Sequence, residues 1–270
     1  MKHLPIGEFS LRLLAATLFL QAGTVWADDS STNPNSNDGL TVLSNATNTT
    51  HWGIGAGVAY QASPYLGYDA KYTPIPFFTF DDKWVHAAGT TVDLKVGQWD
   101  NLALTLRGTY ALGDGYKASD SPIFNGMPTR EAGFWFGPAL AWHTPYGVVS
   151  GDIMSSGNKG QRADIDFGKQ FQYGSLTIEP HVGAEWLNSK DVDYYYGVPT
   201  ADARVGRNAY AGEASYIESA GARFNYHFER NQMVSVDISA AHLGSGITDS
   251  PLVGRKIVPQ ANLGYLYQFN

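Results

Sequence analysis

The chain has 270 residues, no cysteine and a net charge of −7. Without cysteine there is no disulfide framework, thiolate metal site, cysteine nucleophile or lipid-modified N-terminal cysteine. The acidic balance argues against a nucleic-acid partner, which wants a basic surface.

Residues 1–27 read as a secretory signal peptide. Lys2 and Arg12 supply the positive charge, Leu13 to Leu20 the apolar core, and Val25-Trp26-Ala27 the cleavage site. The apolar run is too short to span a bilayer as a helix. Residues 28–50 are polar, without an apolar pattern, and are expected to form a flexible periplasmic leader. The 30 glycines and 13% aromatics, together with a secretion signal, then point to a β-barrel in a bacterial outer membrane over residues 51–270.

From His51 onward, period-two alternation dominates. Strands are expected at 51–61, 66–73, 76–81, 83–95, 101–112, 131–143, 146–154, 161–171, 175–187, 212–228, 232–243 and 257–269. The split at Pro74-Ile75-Pro76 assumes that proline cannot sit inside a paired strand. The expectation is therefore an all-β, transmembrane antiparallel β-barrel of about 12 strands, with 10–14 open. The last strand shows the pattern. Ala261, Leu263, Tyr265, Tyr267 and Phe269 share one face, and Asn262, Gly264 and Gln268 share the other. Periodicity alone cannot say which face is inside. Aromatics near strand ends (Trp142, Trp186, Tyr265, Tyr267, Phe269) suit a membrane interface. Charges at mid-strand suit a polar lumen: Arg107, Asp164, Asp166, Glu179, His181, Glu185, Arg223 and Asp237. The long connections 113–130, 188–211 and 244–256 all fall on one side, which in outer-membrane barrels faces outward.

The loops carry recurrent words. Asp120-Ser121-Pro122 opens "DSPIFNGM" and Asp249-Ser250-Pro251 opens "DSPLVG". Such a triplet suits a turn or a short helix start, with proline at the first position. A further word, Tyr194-Tyr195-Tyr196-Gly197-Val198, stands beyond the strand that ends near Trp186. Its rings are expected at the membrane interface or over the lumen mouth. "LTIEPHVGAEWLNSKDVDYYYGV", "ITDSPLV", "SPYLGYDAKYTPIPFFTF" and "LGDGYKASDSPIFNGM" together resemble the MipA/OmpV family from about His51 to the C-terminus. The resemblance implies an outer-membrane barrel. For the best-known member it implies a scaffold that joins a lytic transglycosylase to a murein synthase. One departure is Phe269-Asn270, which displaces the usual terminal aromatic assembly signal by one residue.

Catalytic motifs are scarce. There is no G-x-S-x-G elbow and no H-E-x-x-H. His181, Glu179 and Glu185 share a strand face, but one histidine makes a poor metal site. A salt-bridge network with Arg107 and Arg223 is the simpler account. Gly53, Gly55 and Gly57 make room in a crowded lumen rather than a phosphate loop. Asp81-Asp82 and Asp191/Asp193 read as solvated loop acids, since no calcium-loop spacing surrounds them. No cofactor, metal or catalytic residue is assigned. The expectation is a non-enzymatic scaffold in outer-membrane lipid, with a lytic transglycosylase and a murein synthase as partners. The alternative is a narrow, cation-favouring channel, and a surface enzyme is the third reading. A tension accompanies the scaffold: YYYGV and both DSP words fall on the outer side, whereas murein lies in the periplasm.

Overall fold

The computed structural model describes residues 48–269. The expected signal peptide and most of the leader lie outside the described residues.

The elements are strands β1 (His51–Ala62), β2 (Ala70–Asp81), β3 (Val85–Ala88), β4 (Thr91–Trp99), β5 (Leu102–Tyr110), β6 (Phe134–Thr144), β7 (Gly147–Ser156), β8 (Gly160–Gly168), β9 (Phe171–Tyr173), β10 (Leu176–Leu187), β11 (Ser215–Glu229), β12 (Gln232–Leu243) and β13 (Ile257–Phe269), with short helices α1 (Ser189–Tyr196) and α2 (Ser245–Thr248). Every strand pairing is antiparallel. β13 closes onto β1 and β10 onto β11. β8 and β9 pair successive parts of β10, so they form one line of the wall, interrupted at residues 169–170. Among the described residues the barrel therefore has twelve wall positions.

The number twelve is met, but not by the expected route. Residues 70–81 form one strand that runs through Pro74 and Pro76 and pairs with β1 along its whole length. The expected strand 83–95 is instead a hairpin, β3 and β4. Two errors of opposite sign cancel. The prolines are tolerated because of the side they face. The Phe78 carbonyl accepts from the Gly89 amide on the β3 side. Positions 74 and 76 have the same parity, so their missing N–H groups also point away from β1, where residues 70–78 have no partner strand.

Inside and outside are now distinguishable. Ile54, Val58, Leu94, Leu106, Phe136, Ile153, Ile165, Val182, Ile238 and Leu263 all lie on the exposed face. Arg223, Asp237, Glu179, His181 and Asp93 lie on the buried face. A soluble barrel would bury the first set. Here the apolar band is left for lipid and the interior is polar. Trp52 stacks on Phe269 at 4.0 Å where β1 meets β13. The glycine stripe of β1 faces inward, and a Cβ on Gly57 would stand 2.6 Å from the Phe77 ring, so the glycine makes space for that ring.

Candidate functional site: the loop cap and the charged lumen

At one end the connections are short: residues 82–84, 100–101, 145–146, 174–175 and 230–231. At the other end four long connections, 63–69, 111–133, 188–214 and 244–256, pack on one another. Tyr65, Tyr116, Phe124, Met127, Val192, Tyr195, Tyr196, Ile247 and Leu252 form a buried apolar cluster there, continuous with Leu187, Ile217 and Leu243 at the strand tops. This is a cap over the barrel mouth.

The YYYGV word is part of a helix. Asn188 caps α1, its side chain accepting from the Asp191 amide at 3.0 Å. Residues 191, 192, 195 and 196 lie on one face, at helical spacing, and all are buried. Tyr195 and Tyr196 enter the cap core. Tyr194 turns instead to the rim, 4.9 Å from the Lys159 ammonium and 5.3 Å from the Arg130 guanidinium. Gly197 ends the helix, and Val198 pairs with Tyr210. Of the two places expected for the rings, the structure selects the lumen mouth.

The DSP words are cross-ties between loops. Ser121 Oγ caps the 3-10 turn Pro122–Phe124 and donates to the Leu66 carbonyl at 2.7 Å. Asp120 Oδ2 accepts from the Lys117 amide. Ser250 Oγ donates to the Tyr196 carbonyl at 2.6 Å and accepts from the Leu252 amide. The second word follows α2 rather than opening a helix, with Asp249 at the helix C-cap and Pro251 in the turn beyond it. The serines carry the shared role: each fixes a neighbouring loop. Arg207 adds three more ties, to the carbonyls of Asp202, Ile123 and Asn125. Stacked rings of Tyr116 and Phe124 (3.9 Å) and an edge contact from Tyr65 complete the core. Burial pushes the Tyr116 phenol above its ordinary pKa, and Tyr68 and Tyr210 likewise, so these groups stay neutral in the cap.

Gly115 is the tightest point of the cap. Its φ is +97°, and a Cβ there would overlap the Arg130 carbonyl. Gly115→Ala is expected to destabilise the 111–133 connection by well over about 1 kcal/mol. Limited proteolysis should show this as faster cleavage within that connection, with the barrel intact.

Three groups of inward charges stand out below the cap. Arg107 forks onto Asp93, Nε to Oδ1 at 2.8 Å and Nη2 to Oδ2 at 2.9 Å, and reaches Asp152 at 3.0 Å. Gly137 stands opposite Arg107 on β6 and leaves the path across that strand open. Arg223 pairs with Glu179 at 3.2 Å and lies 3.6 Å from Asp237, its register neighbours on β10 and β12. His181 Nε2 reaches the same Asp237 carboxylate at 3.1 Å, passing over Gly221, where a Cβ would stand 2.7 Å from the imidazole.

The third group was not legible in the sequence. Arg162, on β8, binds Asp114 at 2.9 Å and Asp191 at 3.0 Å, one from each of two cap segments, with Glu185 at 3.8 Å. Its guanidinium lies 3.9 Å from the Trp135 ring centroid. Tyr195 Oη donates to the same Asp114 carboxylate at 3.1 Å. Arg162 thus fastens the cap to the barrel wall. Glu185 belongs to this group and not with His181, Glu179 and Arg223, so the expected single network is divided. Asp164 and Asp166 continue the inward face of β8.

Of the loop acids, Asp193 is exposed as expected, and the others are engaged instead in ion pairs or turn hydrogen bonds. Asp191 is fully buried in its ion pair, and Asp193 Oδ1 accepts from the Gly212 amide. Asp81 pairs with Lys95 and His86, and Asp82 Oδ1 accepts from the Trp84 and Val85 amides of its turn. Among the described residues, no group of three His, Asp or Glu side chains is placed to hold a metal ion.

Comparison with known proteins follows from this geometry. The family model described as "MltA-interacting protein MipA" matches residues 54–269. The MltA-interacting protein of Escherichia coli K12 is 27% identical over 225 residues, covering 80% of this chain and 89% of that protein. A putative outer membrane protein, YiaT, of the same organism is 24% identical over 208 residues, covering 75% and 84%. Among solved structures, the outer membrane protein OmpT of Vibrio cholerae aligns at 7% identity with a TM-score of 0.37, covering 85% of this chain and all of that one. An outer-membrane β-barrel closed by a cap of its own loops, the chain belongs to the MltA-interacting protein MipA family.

Proposed function

We propose that this barrel is a non-enzymatic scaffold that holds a lytic transglycosylase, and with it a murein synthase, against the inner face of the outer membrane. The observation that carries the reading is the cap. Its core is apolar and continuous, and the family words are spent on closing the mouth. A barrel sealed this way is poorly suited to passing solutes. By the loop rule for outer-membrane barrels, the cap faces outward and the short turns face the periplasm. That resolves the tension with the outward family words, which on this reading maintain the cap and leave recognition to the other end. On this reading the periplasmic side carries the five short turns, with Trp84 and Tyr146 exposed in them and Tyr173 exposed at the end of β9, and the expected leader 28–50 is the second candidate contact.

The test is co-purification of the detergent-solubilised barrel with a lytic transglycosylase and a murein synthase, with and without residues 28–50. Retention of the transglycosylase is expected. Retention lost with the leader assigns the contact to that segment, and retention kept assigns it to the turns. Failure of both forms to retain either enzyme overturns the scaffold. Planar-bilayer recording runs alongside. Silence is expected, and a steady cation-selective conductance would favour the channel reading instead.

A further inference from the structure

We infer that the barrel wall has a lateral opening between β2 and the β3–β4 hairpin, and that it admits the acyl chain of a bilayer lipid into the lumen. β3 has four residues, and its hairpin turns back opposite Thr79. Above that level Ala70–Phe78 pair with β1 on one side and with no strand on the other. Nine residues of strand edge amount to about 30 Å. The upper boundary is the tie of Ser121 to Leu66, and the lower boundary is the Gly89 amide on the Phe78 carbonyl. At the hairpin tip, a Cβ on Gly89 would meet nothing within 4 Å.

Two independent features give the opening its chemistry. The first is proline. An unpaired edge facing hydrocarbon leaves backbone polar groups without partners, which is normally costly. Pro74 and Pro76 delete two of the amides that would point into this gap. Prolines also block strand addition, so the edge is protected from pairing with another chain. The second is the inner wall beside the gap. Ala59, Ile75 and Phe77 form a buried apolar patch facing the lumen, with Leu266 buried on β13. The walls farther round carry the Arg107 and Arg223 groups instead. The strand pair that borders the opening thus has an apolar inner face at Ala59, Ile75 and Phe77. A hydrocarbon chain entering there would lie on Ile75 and Phe77, below Lys71, the inward cation of the same strand edge.

The experiment uses the full barrel in lipid nanodiscs doped with a phospholipid carrying a diazirine on its acyl chain. After irradiation, adducts are mapped by peptide mass spectrometry. Expected are adducts on the inward Ile75 and Phe77 as well as the outward Phe78, with none on the inward Ala139 and Ser239. Labelling confined to outward residues overturns the proposal. In a second arm, Ile75→Asp should reduce the Phe77 adduct several-fold and leave Phe78 unchanged. An unchanged Phe77 adduct in that variant also overturns it.

Discussion

Arg162→Met is expected to release the cap from a barrel that remains folded. The substitution removes a cation that binds both Asp114 and Asp191, whose carboxylates are 2.9 and 3.0 Å away and almost wholly buried. Breaking a buried ion pair by deleting one partner costs about 3–5 kcal/mol, because the other charge stays buried and uncompensated. Two carboxylates lose this cation, from two different cap segments. The reading is limited proteolysis of the barrel in lipid vesicles. Cleavage within 188–214 and 111–133 should accelerate, while the heat-resistant mobility of the barrel on gels stays normal. Arg162→Met combined with Asp114→Asn and Asp191→Asn should recover much of the loss, since the two most deeply buried carboxylates are then neutral and only the more exposed Glu185 keeps its charge. A single variant as protease-resistant as the parent would show that the apolar cluster holds the cap without this latch.

The second large effect is expected lower in the lumen. Arg223→Met leaves Glu179 and Asp237 facing one another across β11 without their guanidinium. The cost is again about 3–5 kcal/mol, but it falls on the wall itself. Equilibrium urea unfolding in lipid vesicles should show a lower midpoint, with the cap no more protease-sensitive than in the parent below that midpoint. His181 offers a partial internal substitute, since its Nε2 already touches Asp237 at 3.1 Å. The additional change His181→Ala should therefore deepen the loss by more than it does alone. Strict additivity would mean that the histidine does not share the carboxylate.

Much of the barrel was legible from residue order. Alternation in 101–112, 232–243 and 257–269 gave strands within a few residues of β5, β12 and β13, because each side chain there answers to a local rule of period two. The segment 66–81 failed for an instructive reason. The proline rule concerns a donor, and whether a donor is needed depends on the neighbouring strand. With nothing beside β2 on that flank, Pro74 and Pro76 cost little. In the YYYGV word it was the helix that went unread. Three tyrosines look like strand or interface, and eight residues are too few for a persuasive helical period. The signal that was available was Asn188, a good N-cap three residues before Asp191.

The charged residues divide along the same line. Arg223 with Glu179 and Asp237 follows from strand register, so facing parity on β10, β11 and β12 was enough to suggest company. Arg162 shares that parity with Asp164 and Asp166, yet its partners come from 111–133 and from α1. No periodicity links residue 162 to residues 114 and 191. Glycines were likewise readable as space, but not as the particular openings through which Arg107 and His181 cross a strand.

By itself, then, the sequence determined a β-barrel of about twelve strands, the placement of its long loops on one side, and the family words within them. The tertiary structure decided three further matters. It put the apolar face outside, which alternation cannot do because period two is unchanged when the faces are exchanged. It turned the family words into a closed cap, since Ser121, Ser250 and Tyr195 find their partners more than fifty residues away in the chain. It also left one edge of β2 without a partner strand along Ala70–Phe78, because the length of the β3–β4 hairpin is set by where its strands register on their neighbours. Local rules fix which way a side chain points, and only closure of the sheet fixes what it meets.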